Sequence, residues 1–571
     1  MKNILIKSIA ILSAAFIAAG CIEETFPTGS TVTSEQLESS PNALQYLVNG
    51  IPSAMMASGT AGYASAYGYH ADFGLPGIHL MTESMLEDFT VSGDLGYFWF
   101  GAYYQNVSMG ADYIYGAYFW DCYYSWIRLA NNIIIKAGEV TPDTDQTVLN
   151  ALGQAYAYRA MCYLDLARLY EPKDNKYAPV SDDIKGLTVP IVTETTTEEI
   201  AKYNPRAERE DLYDFIFDDL EMAENYLNAA DNTYTRPTLG AVYGLYARAY
   251  LELGAADDKI DREAYKKAAE YARLAIETSG KTPLTEAQWH DPRKGFNDGS
   301  ANNSWIWGLT LSSENASNII TNVAHLAPEA VWGYSVLSLP SVNKALYDRI
   351  DYADFRKKSW LDPEYTWNPS SETYDPDAYQ FAGLDDQLSG YESYGITNAH
   401  EYFLAFTSPY VNLKFRPANG TCVEYTDGNC ADHVLMRVEE MHFIEIEATL
   451  RTKGLDAAKE LLNDFMQTYR YRTYDCGAVG SAEAFIQEML FQKRVEFWGE
   501  GILIYDYKRL DQGITRGYPG TNIPAVARFN CDGRSPQWNI VITRGEFQSN
   551  TAISPANNNP DPTEKLVLWA E

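Results

Sequence analysis

Apolar residues recur at steps of three and four between Thr238 and Ser279. Leu239, Val242, Tyr246, Ala249 and Leu253 fall on one stripe, the spacing of a helix with one buried face. Gly254 ends the stripe, an acidic loop follows, and Tyr265, Ala268, Ala272 and Ile276 resume it. Gly240, Gly244, Ala247, Ala268, Ala272 and Ala275 stand where two helices lying side by side would touch. Such a pair is a tetratricopeptide-like unit, and it can bury its outer face only against neighbours. The same period predicts those neighbours. Before the pair come helices at Ser34–Ala57, Phe119–Gly138, Thr147–Tyr170 and Glu208–Ala229. After it come His433–Thr452, Asp456–Tyr469 and Ala482–Trp498. In the first, Ser34 is a candidate cap and Leu37, Leu44, Leu47, Val48 and Ile51 form the apolar side.

Elsewhere the helical period fails. Gly59 to Tyr118 is rich in Gly, Tyr and Trp, with a short helix expected near Thr82–Asp88. Lys281 to Asp432 is rich in Pro, Gly, Asn, Trp and Tyr, and Trp305 to Leu311 alternates like a strand. The expected fold class is therefore mostly α: a tetratricopeptide-like array of helix pairs with a large irregular, loop-rich subdomain containing short strands. The expected divisions are a leader at 1–20, a linker at 21–33, helical parts at 34–280 and 433–510, the inserted subdomain at 281–432, and a loop-rich tail at 511–571.

Charge narrows the function. The chain carries 77 acids against 44 bases, a net −33. Phosphate backbones and acidic headgroups need a basic surface, so nucleic acid is not an expected partner. The chain also holds 43 Tyr and 12 Trp, side chains that combine a flat apolar face with a polar edge.

At the amino terminus, Lys2 and Lys7 precede an apolar run from Ile9 to Ala19, too short to span a bilayer and laid out like a secretory signal. Ala18-Ala19-Gly20-Cys21 resembles a lipobox, with Ala18 where Leu is usual. That implies cleavage after Gly20 and lipid attachment, palmitate included, at Cys21, anchoring the protein to a membrane without spanning it. Glu23-Glu24 resembles the acidic tag that sends some lipoproteins to the cell surface.

Four segments, in order, carry a family resemblance. They are Trp120, Tyr124, Ile127 and Asn132; AYAYRAMCYLDLARLYE at 155–171 with Leu187 to Val192; Tyr213, Ile216, Asp219-Leu220, Ala223 and Leu227; and KRVEFWGEGILIYDYKR at 493–509. Together they resemble the SusD/RagB family of outer-membrane nutrient-binding lipoproteins. Gln492, Leu503 and Glu171 depart from its usual Glu, Arg and Gly. The resemblance implies a surface glycan-binding lipoprotein that delivers nutrient to a SusC-like TonB-dependent transporter. It implies no catalysis and no cofactor, and Glu496, Glu500, Asp506 and Arg509 then read as structural ion pairs.

A pyranose presents C–H groups on its faces and hydroxyls around its rim, so a sugar site pairs an aromatic plane with amides, acids or guanidinium groups. Two stretches supply candidates: Tyr97, Trp99, Tyr103, Tyr104, Gln105 and Asn106, then Trp305, Trp307 and Trp332. On a strand, Trp305 and Trp307 point to one side, as a platform or as a core ladder. Any single aromatic is more often buried than exposed, but the set predicts at least one exposed cluster. His442 and Glu445 share a helix face at a spacing that can hold metal, although their apolar neighbours favour packing. Asp257 and Asp258 read as a solvated turn. Cys422 and Cys430 flank an Asp-Gly that could turn a hairpin, and an exported chain permits disulfides, so a bridge is expected there. Other functions remain in play: a lipid-anchored glycoside hydrolase, a binder of a non-sugar nutrient such as peptide, and a scaffold lipoprotein whose helical array binds protein alone. No HExxH, Walker, GxSxG or CxxC motif is present.

Overall fold

The computed structural model describes residues 43–59, 70–314, 316, 319–362, 367–368, 373–374, 408–422 and 424–570. The leader, Cys21, Ser34 and Leu37 lie outside these residues. Among those described, no helix is long and apolar enough to cross a membrane.

The array begins with α1 (Ala43–Met56). After α2 (Leu75–Ser84), β1 (Phe89–Val91) and α3 (Gly101–Gln105) come the long helices α4 (Ile114–Ala137) and α5 (Gln146–Tyr170). Then follow α6 (Arg209–Tyr226), α7 (Leu239–Leu253) and α8 (Arg262–Ser279). Neighbours in sequence pack as neighbours in space, α4 on α5, α5 on α6, α6 on α7 and α7 on α8. Past the loop-rich stretch, with β2 (Trp305–Leu309), α9 (Asn322–Leu326), α10 (Ser335–Ser338) and β3 (Pro340–Val342), the array resumes. It does so through β4 (His433–Arg437), α11 (Val438–Thr452), α12 (Leu455–Tyr469), α13 (Ala482–Phe497) and α14 (Leu503–Arg509), and α15 (Arg544–Ser549) lies in the tail. α11 packs directly on α8, so the intervening chain leaves and rejoins the array at one place.

The central pair closes as its small residues require. A Cβ on Gly240 would lie 3.0 Å from that of Ser279, and one on Gly244 would lie 2.1 Å from Met436 Sδ. The second approach brings β4 under α7. His433–Arg437 is thus a strand and not the first turn of a helix, as the apolar period suggested. All five residues are buried and pair antiparallel with β2, Leu309 opposite His433 and Trp305 opposite Arg437. A short buried run fits strand and helix patterns alike, and here the ladder with β2 decides.

At the junction of these elements is a buried ion cluster. Glu496, at the end of α13, receives Arg470 at 2.6 and 2.7 Å, Arg437 at 2.7 Å and Arg356 at 2.8 Å. Glu500 receives Arg437 at 2.9 Å and Lys414 at 2.6 Å. Glu439 pairs with Arg437 and Arg470, and Asp354 with Arg356. Four acids thus face four bases, and all are buried. Burial pushes the Glu496 carboxyl up, but Arg470, Arg437 and Arg356 more than reverse this and hold it well below the ordinary carboxylate value. Asp506 and Arg509 pair with each other at 2.7 Å, and Arg509 also meets Glu447 at 2.9 Å.

Smaller readings resolve at once. His442 packs on Phe465 and Tyr469, with ring centroids 5.3 and 6.1 Å away, and Glu445 pairs with Arg273. Asp257 and Asp258 are not merely solvated, since they accept from Arg209 and Arg534. Cys422 and Cys430 form no disulfide. Tyr425–Gly428 winds into one helical turn instead of reversing as a hairpin, and the Cys430 thiol lies 3.1 Å from the Thr426 carbonyl.

Two predictions follow from the buried charges. Glu496→Ala removes the carboxylate that three buried guanidinium groups share and leaves the cluster with an excess of positive charge, so denaturant unfolding should show a loss of about 3–5 kcal/mol; a loss under ~1 kcal/mol would mean water reaches the cluster. The second concerns His79 and His433, buried with their ring nitrogens 2.8 Å apart. Burial first, and then Arg248 and Arg168, drive His79 down to about 3. His433 is held well below its ordinary value by burial and by His79. Below pH ~6.5 the unfolded chain binds protons that these native imidazoles refuse, so stability falls as pH drops. Between pH 6 and 4 the wild type should lose about 1.4 kcal/mol per pH unit more than His433→Asn does; parallel curves would contradict this.

Candidate functional site, an aromatic cluster on the loop-rich face

The site is set by a strand pairing between distant parts of the chain. β1 runs antiparallel to β3, Phe89 opposite Val342 and Val91 opposite Pro340. The ladder then continues past both strands. Ser92, Gly93 and Asp94 donate backbone N–H bonds to Leu339, Ser338 and Leu337 at 3.2, 3.1 and 2.9 Å. Gly93 is required for this approach, because a Cβ there would lie 1.8 Å from the Leu337 carbonyl oxygen. The consequence is that the chain after β1 and the chain through α10 turn away from the ladder side by side.

That juxtaposition builds the cluster. The His70 ring lies tilted against Trp99 with centroids 4.6 Å apart and against Tyr334 at 5.2 Å, and Trp99 meets Tyr334 edge-on at 6.1 Å. All three are half-buried, so each seals one side against the protein and keeps another toward solvent. The Tyr334 hydroxyl and His70 Nδ1 are hydrogen-bonded. Partial burial lowers the His70 pKa, which favours the neutral imidazole. The indole N–H of Trp99 has no hydrogen-bond partner among the described residues. Tyr97 stands beside the cluster in sequence, 42% exposed, and Leu337 of α10 is 38% exposed.

A second layer holds the first. His325 of α9 is buried, lies 4.9 Å from Tyr334, stacks on Phe73 at 4.8 Å and meets Phe100 edge-on at 5.4 Å. Its Nδ1 bonds the Thr321 carbonyl at 2.8 Å, one turn back. Burial pushes its pKa down to about 4, so it serves as a neutral aromatic wedge at ordinary pH.

Of the residues singled out in sequence, Tyr97 and Trp99 belong to this face, and Trp332 is half-buried close by. Trp332 packs on a small cluster of Val323, Ala327, Ala330, Ala418 and Ala431. The others are corrected by burial. Trp305 and Trp307 are both 0% exposed. Their strand runs through the interior, with Trp305 against Tyr234 and Trp307 against Tyr158. They form a core ladder, not a platform. Tyr103 is buried, its hydroxyl donating to the Tyr115 carbonyl at 2.6 Å. Asn106 is buried in a left-handed conformation that ends α3, and its amide donates to the Pro562 carbonyl at 2.9 Å. Tyr104 is buried and bonds Thr90 at 2.9 Å. Sequence reading missed His70 and Tyr334. The one signal for Tyr334 was its place two residues beyond Trp332.

Comparisons with known proteins agree with this architecture. A family model described as SusD-like, "Starch-binding associating with outer membrane", matches residues 74–251. The SusD-like protein P2 of Formosa agariphila is 23% identical over 426 residues, 72% of this chain and 74% of that protein. A SusD-like carbohydrate-binding protein from Bacteroides vulgatus superposes with a TM-score of 0.65 at 19% identity, covering 89% of this chain and 96% of its own. A SusD superfamily protein from Bacteroides thetaiotaomicron gives 0.63 at 19% identity, over 90% and 99%. Residues 74–251 thus match the SusD-like family model, and about nine-tenths of the chain shares the fold of these SusD-like structures.

Proposed function

We propose that the protein is a cell-surface glycan-binding lipoprotein that captures oligosaccharide on the Trp99–His70–Tyr334 face and passes it to a SusC-like outer-membrane transporter. The observation that carries this reading is the half-exposed cluster. Two rings and an imidazole from remote stretches of chain are brought together at the surface, where an apolar core has no use for them. An aromatic plane answers the C–H face of a pyranose, while the Tyr334 hydroxyl and the imidazole edge answer its hydroxyls.

Membrane attachment rests on the lipobox-like Ala18-Ala19-Gly20-Cys21 and fits the outer-membrane association in the family description. Delivery to a transporter rests on the family resemblance alone. Binding without cleavage is the reading the carboxylates favour. The acids of the 493–509 signature, Glu496, Glu500 and Asp506, are buried in ion pairs, where they could not reach a glycosidic bond.

Calorimetry of the lipid-free protein against starch oligosaccharides and a panel of other neutral glycans tests the reading. At least one should bind, and Trp99→Ala should weaken it by about tenfold or more, the scale of one lost aromatic contact. Binding of peptide alone, or release of shorter sugars, would refute it. Gly93→Ala should act from a distance. It forces the 92–94 ladder apart, so it should weaken the same glycan while leaving far-UV circular dichroism unchanged; undiminished binding would show that the pairing does not set the site.

A further inference from the structure

A second cleft shares no residue with the aromatic cluster. It has a volume of about 650 Å³ and opens between the loop that leads into α4 and the helix α15 of the tail. That size falls within the range of small-molecule sites, roughly 300–1,000 Å³. Its apolar lining comes from Tyr113, Ile114 and Tyr115, and its polar lining from Asp112, Arg544 and Gln548.

Two features make this a built cleft. The first is its anchoring. The Arg544 N–H donates to the Ala111 carbonyl at 2.9 Å, and the Met109 N–H donates to the Thr563 hydroxyl at 3.1 Å. Tail and loop are thereby fixed to each other across about 430–450 residues of sequence, by the numbering of these pairs. Beneath them Tyr115 meets Tyr103 edge-on at 5.5 Å. The second feature is its chemistry. Arg544 donates to Asp112 at 2.8 Å, and both remain more than half exposed. Their charges cancel, so an anionic ligand gains little there. What remains is a set of N–H donors beside carboxylate acceptors, with the Gln548 amide near them. Adjacent hydroxyls of a sugar both donate and accept, and need such a set. The Tyr113 side chain, 46% exposed, supplies the flat apolar face.

We infer that the Tyr113–Arg544 cleft is a second saccharide subsite, taking a neutral sugar unit independently of the Trp99–Tyr334 face. This rests on the glycan-binding reading, and the experiment separates the two. Saturation-transfer NMR and calorimetry would use maltoheptaose, a soluble starch fragment, and a panel of other neutral oligosaccharides. The proteins are wild type, Trp99→Ala/Tyr334→Ala, and that double variant with Tyr113→Ala added. Melting temperature confirms that each is folded. The double variant should keep a weaker, saturable affinity for at least one sugar, and adding Tyr113→Ala should reduce it about tenfold or more. Arg544→Ala in the double-variant background should do the same, guarding against an indirect effect of Tyr113. A double variant that binds nothing while the wild type binds would overturn the second subsite and leave the first standing. Retained binding that neither Tyr113→Ala nor Arg544→Ala alters would overturn it too. A wild type that binds no sugar would overturn both.

Discussion

Three arginines meet one glutamate in the dry interior of this protein, and the rest of the architecture depends on that meeting. Glu496 comes from a helix of the array, Arg437 from the strand before the next helix pair, Arg470 from the end of α12 and Arg356 from the loop-rich part. Removing these ions from water is costly, and their mutual attraction offsets that cost only where geometry and hydrogen bonding are complete. The cluster has little effect on stability until a member is lost, but it permits few alternatives. A displaced helix or a shifted loop would leave a bare charge where no water can reach it. The loop-rich part therefore has one seat on the array, and the face it builds is held in place from below.

On that base, the aromatic face is assembled by backbone rather than by side chains. The β1–β3 ladder and its extension through Ser92, Gly93 and Asp94 bring together stretches some 250 residues apart by their own numbering. His325, Phe73 and Phe100 then support Tyr334 from within. Rings fixed in this way lose little further freedom when a ligand stacks on them. A rigid aromatic surface suits a partner as weakly distinctive as a sugar face, because little of the contact energy is spent on ordering the protein.

The sequence made the helices legible and hid the face. α5, α7, α8 and α12 follow a period of 3.6 with small residues at the contacts, and that pattern is local. The 493–509 motif was legible for another reason: it resembles a family signature, and its acids prove to be the buried ion pairs expected of it. β4 was misread because a short apolar run satisfies two periods at once. Trp305 and Trp307 were legible as a pair on one side of a strand, but alternation cannot say which side faces solvent when both are covered. Cys422 and Cys430 were misjudged because Asp427-Gly428 completes a helical turn. His70 and Tyr334 gave no signal of their pairing beyond the nearness of Tyr334 to Trp332 in sequence. Their partnership exists only through a non-local pairing that no spacing along the chain encodes.

On the proposed function, a sugar lies on the half-buried rings of Trp99 and Tyr334. The most direct measurement is a crystal structure of the protein soaked with an oligosaccharide that it binds in solution. The account predicts a pyranose stacked on Trp99, with a hydroxyl within hydrogen-bond reach of Tyr334 or His70. A sugar bound elsewhere, with both of these rings covered by other parts of the chain, would contradict it.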